Sequence, residues 1–317
     1  MPEVRMTTRT ASAGLIGVLI AIACAGCTQS AASPSPSTAP GSRPLATAAG
    51  PAQQTTVALI SDFGQCDDGE RAVADMVRSW EPPIVFTAGD NSQGVKGCDP
   101  FTESVGAYYG DFLTGPQGPR LFPTLGNHDY EDAGAGVAAY RAFFPYLDTG
   151  ADPLGRWYVK SVGNLNVYIL DSEVAPAELT RQQDFLKTAL SHASPRTWNV
   201  VVMHRPPFTS GPHPPNPEMQ PRAGWAYKEW GANLVISGHQ HVLEDVVVDG
   251  LHYVTAGVGG QTLTRPCPKS KTEGSLTCIE GLGAARLVAS DTTLAFEYVK
   301  PGSPSTPAYR VEITRPS

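Results

Sequence analysis

The sequence predicts an α/β domain made of two packed sheets with helices on the outside. Two observations predict it. From Thr56 onward short β-branched runs alternate with helical patterns, and after residue 240 the pattern changes to hairpin-like pairs. Hydrophobic residues make up 41% of the 317, enough for a sizeable core.

The N-terminal segment comes first and belongs to no sheet. Arg5 and Arg9 precede an apolar run from Ala13 to Ala23, then small residues and two cysteines. That is the pattern of a secretory signal over residues 1–27. The run is too short to span a bilayer, which takes about 20 apolar residues. The string AIACAGC also resembles a bacterial lipobox, with Cys24 or Cys27 as the lipidated residue. Plain cleavage, leaving a soluble secreted protein, is the alternative. Between Thr28 and Ala52, 22 of 25 residues are Ser, Thr, Ala, Pro or Gly. Such a stretch cannot bury enough apolar surface to offset its ordering entropy, so residues 28–55 read as a tether. The expected product is an exported domain over 56–317, held on the outer face of the cell membrane as a lipoprotein or else secreted. A lipid anchor is its one expected membrane contact.

Charge narrows the partners. The chain carries 23 Lys and Arg against 30 Asp and Glu. Without the three Arg and one Glu of the first fifty residues, 20 face 29. Proteins that bind nucleic acid gain affinity by neutralising phosphates with basic side chains, so nucleic acid is not the expected partner. Nothing in the sequence argues for an oligomer.

Within the domain, Val57–Ser61 and Ile84–Ala88 read as buried strands. The helix between them carries Val73, Met76, Val77 and Trp80 at helical spacing and stops at Pro82. Arg156–Ser161 and Val167–Asp171 pair around Gly163 and Asn164. Thr180 with Gln183 reads as the capping box of a helix through His192. Val200–Met203 and Leu234–Ser237 are further apolar strands. Leu243–Val248 pairs with Tyr253–Thr255, and Ala285–Ala289 with Leu294–Val299. Four cysteines lie in the domain, an even number that in an exported chain points to disulfides. Cys66 and Cys98 each follow a strand end, and Cys267 and Cys278 flank a polar stretch read as a loop. Those are the expected pairs; thiolate metal ligation is the alternative, and no C-x-x-C spacing supports it.

Five short motifs follow apolar runs: Asp62-Phe-Gly64, Gly89-Asp90-Asn91, Gly126-Asn127-His128-Asp129, His204, and Gly238-His239-Gln240-His241. Ligands of open α/β sheets gather at the carboxyl ends of strands, so two Asp, one Asn and three His can converge. Carboxylate, amide oxygen and imidazole together suit Mn, Fe or Zn. Singly each motif is weak, since a G-D-N is usually a turn and an H-x-H usually surface or core. Together they are specific.

The set resembles the calcineurin-like metallophosphoesterases, and its D-x-G first motif resembles the purple acid phosphatase branch. The resemblance runs from about Val57 to Val299. It implies a four-layer αββα sandwich of two mixed β-sheets and a centre of two metal ions. Carried over by residue, Asp62, Asp90 and His241 would hold one ion, and Asp90, Asn127, His204 and His239 the other, with Asp90 bridging. The sequence departs from the purple enzymes where they place a tyrosine: Asp90-Asn91-Ser92-Gln93 ends in Gln93. Without a phenolate the expectation is no charge-transfer colour, a choice among divalent Fe, Zn or Mn, and a Gln93 that lines the pocket.

The implied reaction is hydrolysis of a small phosphomonoester by a hydroxide shared between two ions, whose coordination lowers the pKa of water. His128 resembles the family histidine that binds phosphate or protonates the leaving group, and Asp129 is expected to orient it, or else to cap a turn. His213 resembles a substrate-side histidine, and Arg205 could pair with phosphate or stay solvated. Gly257-Val258-Gly259-Gly260 reads as a tight turn needing positive φ. Two other functions remain: a phosphodiesterase acting on nucleotides or lipid head groups, and a surface-anchored binding protein with a vestigial metal site.

Overall fold

Buried β-branched runs fold here as strands because each has an apolar layer on both faces. The structure, a computed structural model, describes residues 54–131, 137–261 and 266–315. The expected signal, tether and lipidated Cys24 or Cys27 lie outside the described residues. The chain runs β1 (Thr55–Ile60), α1 (Asp68–Ser79), β2 (Val85–Thr87), α2 (Ala107–Tyr109), β3 (Leu121–Phe122), α3 (Asn127–Glu131), α4 (Val137–Phe143), β4 (Tyr158–Val162) and β5 (Leu165–Ile169). Then follow α5 (Pro176–Ser191), β6 (Trp198–Val202), α6 (Tyr227–Trp230), β7 (Leu234–Ser237), β8 (Leu243–Val248), β9 (Leu251–Ala256), β10 (Ser275–Ile279), β11 (Ala284–Ala289), β12 (Thr293–Val299) and β13 (Pro307–Thr314).

The strands form two mixed sheets. The first is ordered β13-β12-β11-β1-β2-β3, with β1, β2 and β3 parallel and the rest antiparallel. The second is ordered β10-β8-β9-β7-β6-β5-β4, with β5, β6, β7 and β9 parallel. Period-two alternation in β6 shows how the layers stack. Val200 and Val202 enter a core shared with Val57, Leu59 and Phe86 of the first sheet, whereas Val201 and Met203 enter a second core with Leu179, Leu186 and Leu190 of α5. Helices thus cover the outside of two packed sheets, the αββα arrangement expected.

Local chemistry sets the helix ends. Asp67 caps α1, its side chain accepting the Glu70 N–H at 2.9 Å. The Thr180–Gln183 capping box does not form. Pro176, with its φ already helical and no N–H to strand, starts α5 four residues earlier. Thr180 Oγ1 instead bonds back to Pro176 O, and Gln183 Nε2 reaches Ala223 O. Three strands were not expected: β3 has two residues, β10 lies in the stretch read as a loop, and β13 closes an edge of the first sheet. Cys66 is bonded to Cys98 and Cys267 to Cys278, the pairs expected.

Candidate metal centre

All three adjacent parallel strands of the first sheet end in an oxygen donor: Asp62 beyond β1, Asp90 beyond β2, Asn127 beyond β3. Two parallel strands of the second sheet end in imidazoles, His204 beyond β6 and His239 with His241 beyond β7. The sandwich brings these ends together. Nε2 of His204 lies 3.3 Å from Asp90 Oδ1 and 3.2 Å from Asn127 Oδ1, and Nε2 of His241 lies 3.4 Å from Asp62 Oδ1. One ligand atom from each of Asp62, Asp90 and His204 falls within 4.8 Å of the others. The His239 ring packs edge-on to His204 with centroids 5.0 Å apart. The two expected half-sites are therefore recognisable, one around Asp62 and His241, the other around Asp90, Asn127 and His204, with His239 beside it.

The backbone is bent to make this possible. Asp62, Asp90 and His239 hold φ of 53°, 51° and 69°, in the left-handed region that costs an L residue about 1 kcal/mol or more. Neighbouring glycines let the turns close. A Cβ on Gly126 would lie 2.3 Å from the Asp90 nitrogen, and one on Gly238 2.4 Å from Asp62 Oδ2. The Gly257–Gly260 turn is a correction to the expectation. None of its glycines has positive φ; they serve close approach, with Gly257 and Gly259 each leaving no room for a Cβ against Gln240 O and Ser61 O, both 2.4 Å away.

The donor set fits a metal. The Nδ1–H of His204 donates to Ala88 O at 2.9 Å, which turns its Nε2 towards Asp90 and Asn127, where a metal would replace the Nε2 proton. In the protein without metal, burial pulls the His204 pKa down, but the Asp90 carboxylate beside it outweighs burial and pushes it up to about 10. Burial alone would raise Asp62, yet His241 and His204 hold it well below the usual carboxylate range, helped by the 2.6 Å bond from Ser61 Oγ. The oxygens of this centre gather positive charge wherever it is offered.

The remaining expected residues fall into three groups. The His128 side chain is 36% exposed at the mouth, with Nε2 4.0 Å from Asp90 Oδ2. The His213 ring packs against His239 with centroids 4.7 Å apart and the planes tilted by 44°, and Gln240 grips its backbone from both sides. Asp129 is different: it is fully buried, and its carboxylate accepts the N–H groups of Asn91, Ser92 and Gly126 and the Nδ2 of Asn91, at 2.8–3.1 Å. Those four bonds spend the carboxylate on clamping the second motif to the third, so the structure assigns it the capping role and not the orienting one. Burial and the nearby Asp90 charge raise it to about 7. Gln93 lines the interior at 8% exposure, and its Nε2 has no hydrogen-bond partner among the described residues.

Arg205 is partly exposed but held by partners. Its Nε bonds both oxygens of Glu173 at 3.0 and 2.8 Å, its backbone N–H reaches Ser172 Oγ, and its Nη1 donates to His239 Nε2 at 3.0 Å. Sequence reasoning missed Ser172 and Glu173, although they sit just past β5, where every other motif sits past its own strand. It also missed the Tyr130 hydroxyl, which donates to Asp171 Oδ2 at 2.5 Å and fastens α3 to the end of β5.

Comparison with known proteins places this arrangement. The profile described as calcineurin-like phosphoesterase matches residues 55–243. Among solved structures, the purple acid phosphatase PPD1 from yellow lupin (Lupinus luteus) seeds aligns with TM-score 0.70 at 16% identity, over 84% of this chain and 54% of that one. GAP50, the anchor in the inner membrane complex of Plasmodium, aligns at 0.64 with 18% identity, over 83% and 90%. A dimetal phosphatase from Danio rerio aligns at 0.57 with 13% identity, over 82% and 98%. These likenesses are of fold. No curated protein matches the sequence.

Proposed function

Since the chain belongs to the calcineurin-like phosphoesterase family, whose members are metal-dependent phosphoesterases, we propose that it is an exported phosphatase cleaving small phosphomonoesters at the centre of Asp62, Asp90, Asn127, His204, His239 and His241. The observation that carries the proposal is convergence: six donors from five strand ends in two sheets face one another, with Asp90 within reach of His204 and His128. Two divalent ions of Fe, Zn or Mn held there would supply an activated water and neutralise phosphate charge.

The chain's own groups do the rest. His128, over a third exposed and beside Asp90, is placed to meet the ester oxygen and deliver a proton to the departing alkoxide. His213, at the outer edge of His239, is placed to touch the substrate, and Arg205 offers a cation on the same side. Ser61 and the Ala88 carbonyl keep Asp62 and His204 in orientation. The anchored binding protein remains the second reading, and the GAP50 likeness is what favours it. The complete donor set weighs against it, because a vestigial site has lost donors.

The test is hydrolysis of p-nitrophenyl phosphate and its bis-ester by protein stripped of metal and then given Mn, Zn or Fe. Mono-ester turnover that returns with metal and vanishes in Asp90→Asn is the expected result. Faster bis-ester turnover would make it a diesterase. Silence in a protein that binds no metal would move the reading to the binding protein.

A further inference from the structure

The loop that carries His213 has little with which to hold itself. Seven prolines stand between His204 and Arg222, and each removes a backbone N–H that could have pinned the chain. The loop is moored from outside instead, by two side chains four residues apart. Gln240 donates to the His213 carbonyl at 2.6 Å and accepts its N–H at 3.3 Å. It passes so close to Gly211 that a Cβ there would lie 2.1 Å from Oε1. Glu244, the second residue of β8, is fully buried. It accepts Thr209 Oγ1 at 3.0 Å, the Ser210 N–H at 2.8 Å and the Ser210 hydroxyl.

A third segment backs this mooring. Ser275 of β10 donates to Glu244 at 2.8 Å, the Thr272 N–H donates to Ser210 Oγ at 2.7 Å, and the Thr272 hydroxyl donates to Thr209 O at 2.9 Å. Both residues lie in the arm closed by Cys267–Cys278, and Cys278 stands opposite Glu244 in the β8–β10 ladder. The partners of Glu244 are three hydroxyls and one N–H, with no cation among them. Burying a carboxylate without a counter-ion is costly unless donors fill its lone pairs, and apolar packing would hold a loop at less cost. What the four bonds add is direction. Glu244 fixes the start of the 209–213 run and Gln240 its end, and the His213 ring then lands 4.7 Å from His239.

We propose that Glu244 is a positioning residue for the substrate side of the centre, setting His213 through the 209–213 run and joining the Cys267–Cys278 arm to it. This rests on the reading above that His213 touches the ester. Without Glu244 the run can swing about Gln240, and the ring loses its place beside His239. The arm, remote in sequence from every metal donor, thereby bears on how well the ester binds.

The experiment uses the full chain loaded with Zn²⁺, as wild type, His213→Ala, Glu244→Ala, the double variant and Glu244→Gln. Each is assayed for p-nitrophenyl phosphate hydrolysis and metal content, and ring ¹H–¹³C spectra are recorded, with His213→Ala assigning the His213 signal. Each single alanine variant should raise KM about fivefold to tenfold, the scale of one lost hydrogen bond, with kcat within about twofold and metal content unchanged. The double variant should be no worse than the worse single one, because both act through one ring. Glu244→Gln should stay close to wild type: its oxygen keeps Thr209 and the Ser210 N–H, while the Ser210 and Ser275 hydroxyls turn to accept from the amide. In Glu244→Ala the His213 signal should move towards that of a free histidine.

A His213→Ala effect that Glu244→Ala does not share, multiplying effects in the double variant, or an unmoved His213 signal overturns the proposal. An unchanged KM in His213→Ala removes the substrate role of that ring, and the proposal with it, while leaving the phosphatase reading standing. If no ester turns over, the phosphatase reading fails by itself and the His213 signal still decides whether Glu244 sets the ring. Should Glu244→Ala fail to fold, Ser210→Ala, which removes one donor to Glu244 and the acceptor of the Thr272 N–H, carries the same cycle with His213→Ala.

Discussion

Asp129 separates a structural clamp from a catalytic partner more sharply than any other residue. Replacing it with alanine strands the backbone N–H groups of Asn91, Ser92 and Gly126 in a fully buried position and removes one of two acceptors of Asn91 Nδ2, which keeps Thr124 O at 2.7 Å. Each buried donor left unpaired costs about 1–3 kcal/mol. Three backbone donors, partly relieved by water entering the gap, put Asp129→Ala at about 3–5 kcal/mol. In urea that is a fall of about 1 M or more in the midpoint. Metal content should fall with it, because the second motif carries Asp90 and the third carries Asn127. The activity that remains should keep the wild-type pH profile. A variant within about 0.5 kcal/mol of wild type that has lost a hundredfold in kcat, with a displaced basic limb, would refute the clamp and return Asp129 to orienting His128.

Three further outcomes are expected. Gly126→Ala should lose metal in a binding assay while remaining folded by circular dichroism, since its Cβ would meet Asp90 nitrogen at 2.3 Å and Oδ1 at 2.2 Å. Glu70 lies under the loop after β1 and accepts the Cys66 N–H at 2.8 Å, and burial raises it from 4.5 to about 8. A carboxyl raised on folding gives stability that is whole below pH 4.5 and is lost as pH climbs through 8, by at most about 5 kcal/mol. Glu70→Gln should flatten that decline in melts of metal-free protein between pH 5 and 8.5; an unchanged slope would mean Glu70 does not titrate there. Tyr130→Phe removes the bond to Asp171 and should cost about 1–2 kcal/mol, with a several-fold drop in kcat and little change in KM; a KM effect alone would place Tyr130 on the substrate instead.

Much of this centre was legible in the chain because each donor stands immediately past an apolar run, and a strand end is a place that sequence periodicity marks. Cys66 and Cys98 were legible for the same reason, and Cys267 and Cys278 because they flank a short polar stretch. Arg205 was not, since Glu173 is 32 residues away and His239 is 34 away, and only the parallel β5–β6–β7 order makes them neighbours. Asp129 was half legible: its place in Gly126-Asn127-His128-Asp129 marked it, but nothing local said that its oxygens would turn inward towards Asn91. The glycines of 257–260 show a similar gap. A turn rich in glycine invites an argument from φ, while their actual constraint is the nearness of Ser61, Asp62 and Gln240 from other strands. β13 carried a readable signal in Tyr309, Val311 and Ile313 alternating with Arg310 and Glu312. At the start of α5 the Pro176 signal outranked the Thr180 pattern.

The division of donors between the sheets has a consequence for how the molecule assembles. Oxygen donors come from strands 1 to 3 and nitrogen donors from strands 6 and 7, with 178 residues between Asp62 and His241. Neither sheet alone supplies the full donor set. An ion that binds only the finished sandwich shifts folding by mass action, adding RT ln(1 + [M]/Kd), or about 2.7 kcal/mol at a free concentration a hundred times Kd. Metal supply would then act as a late fastener across the seam, and the melting temperature measured against free metal would report how completely the two halves have met.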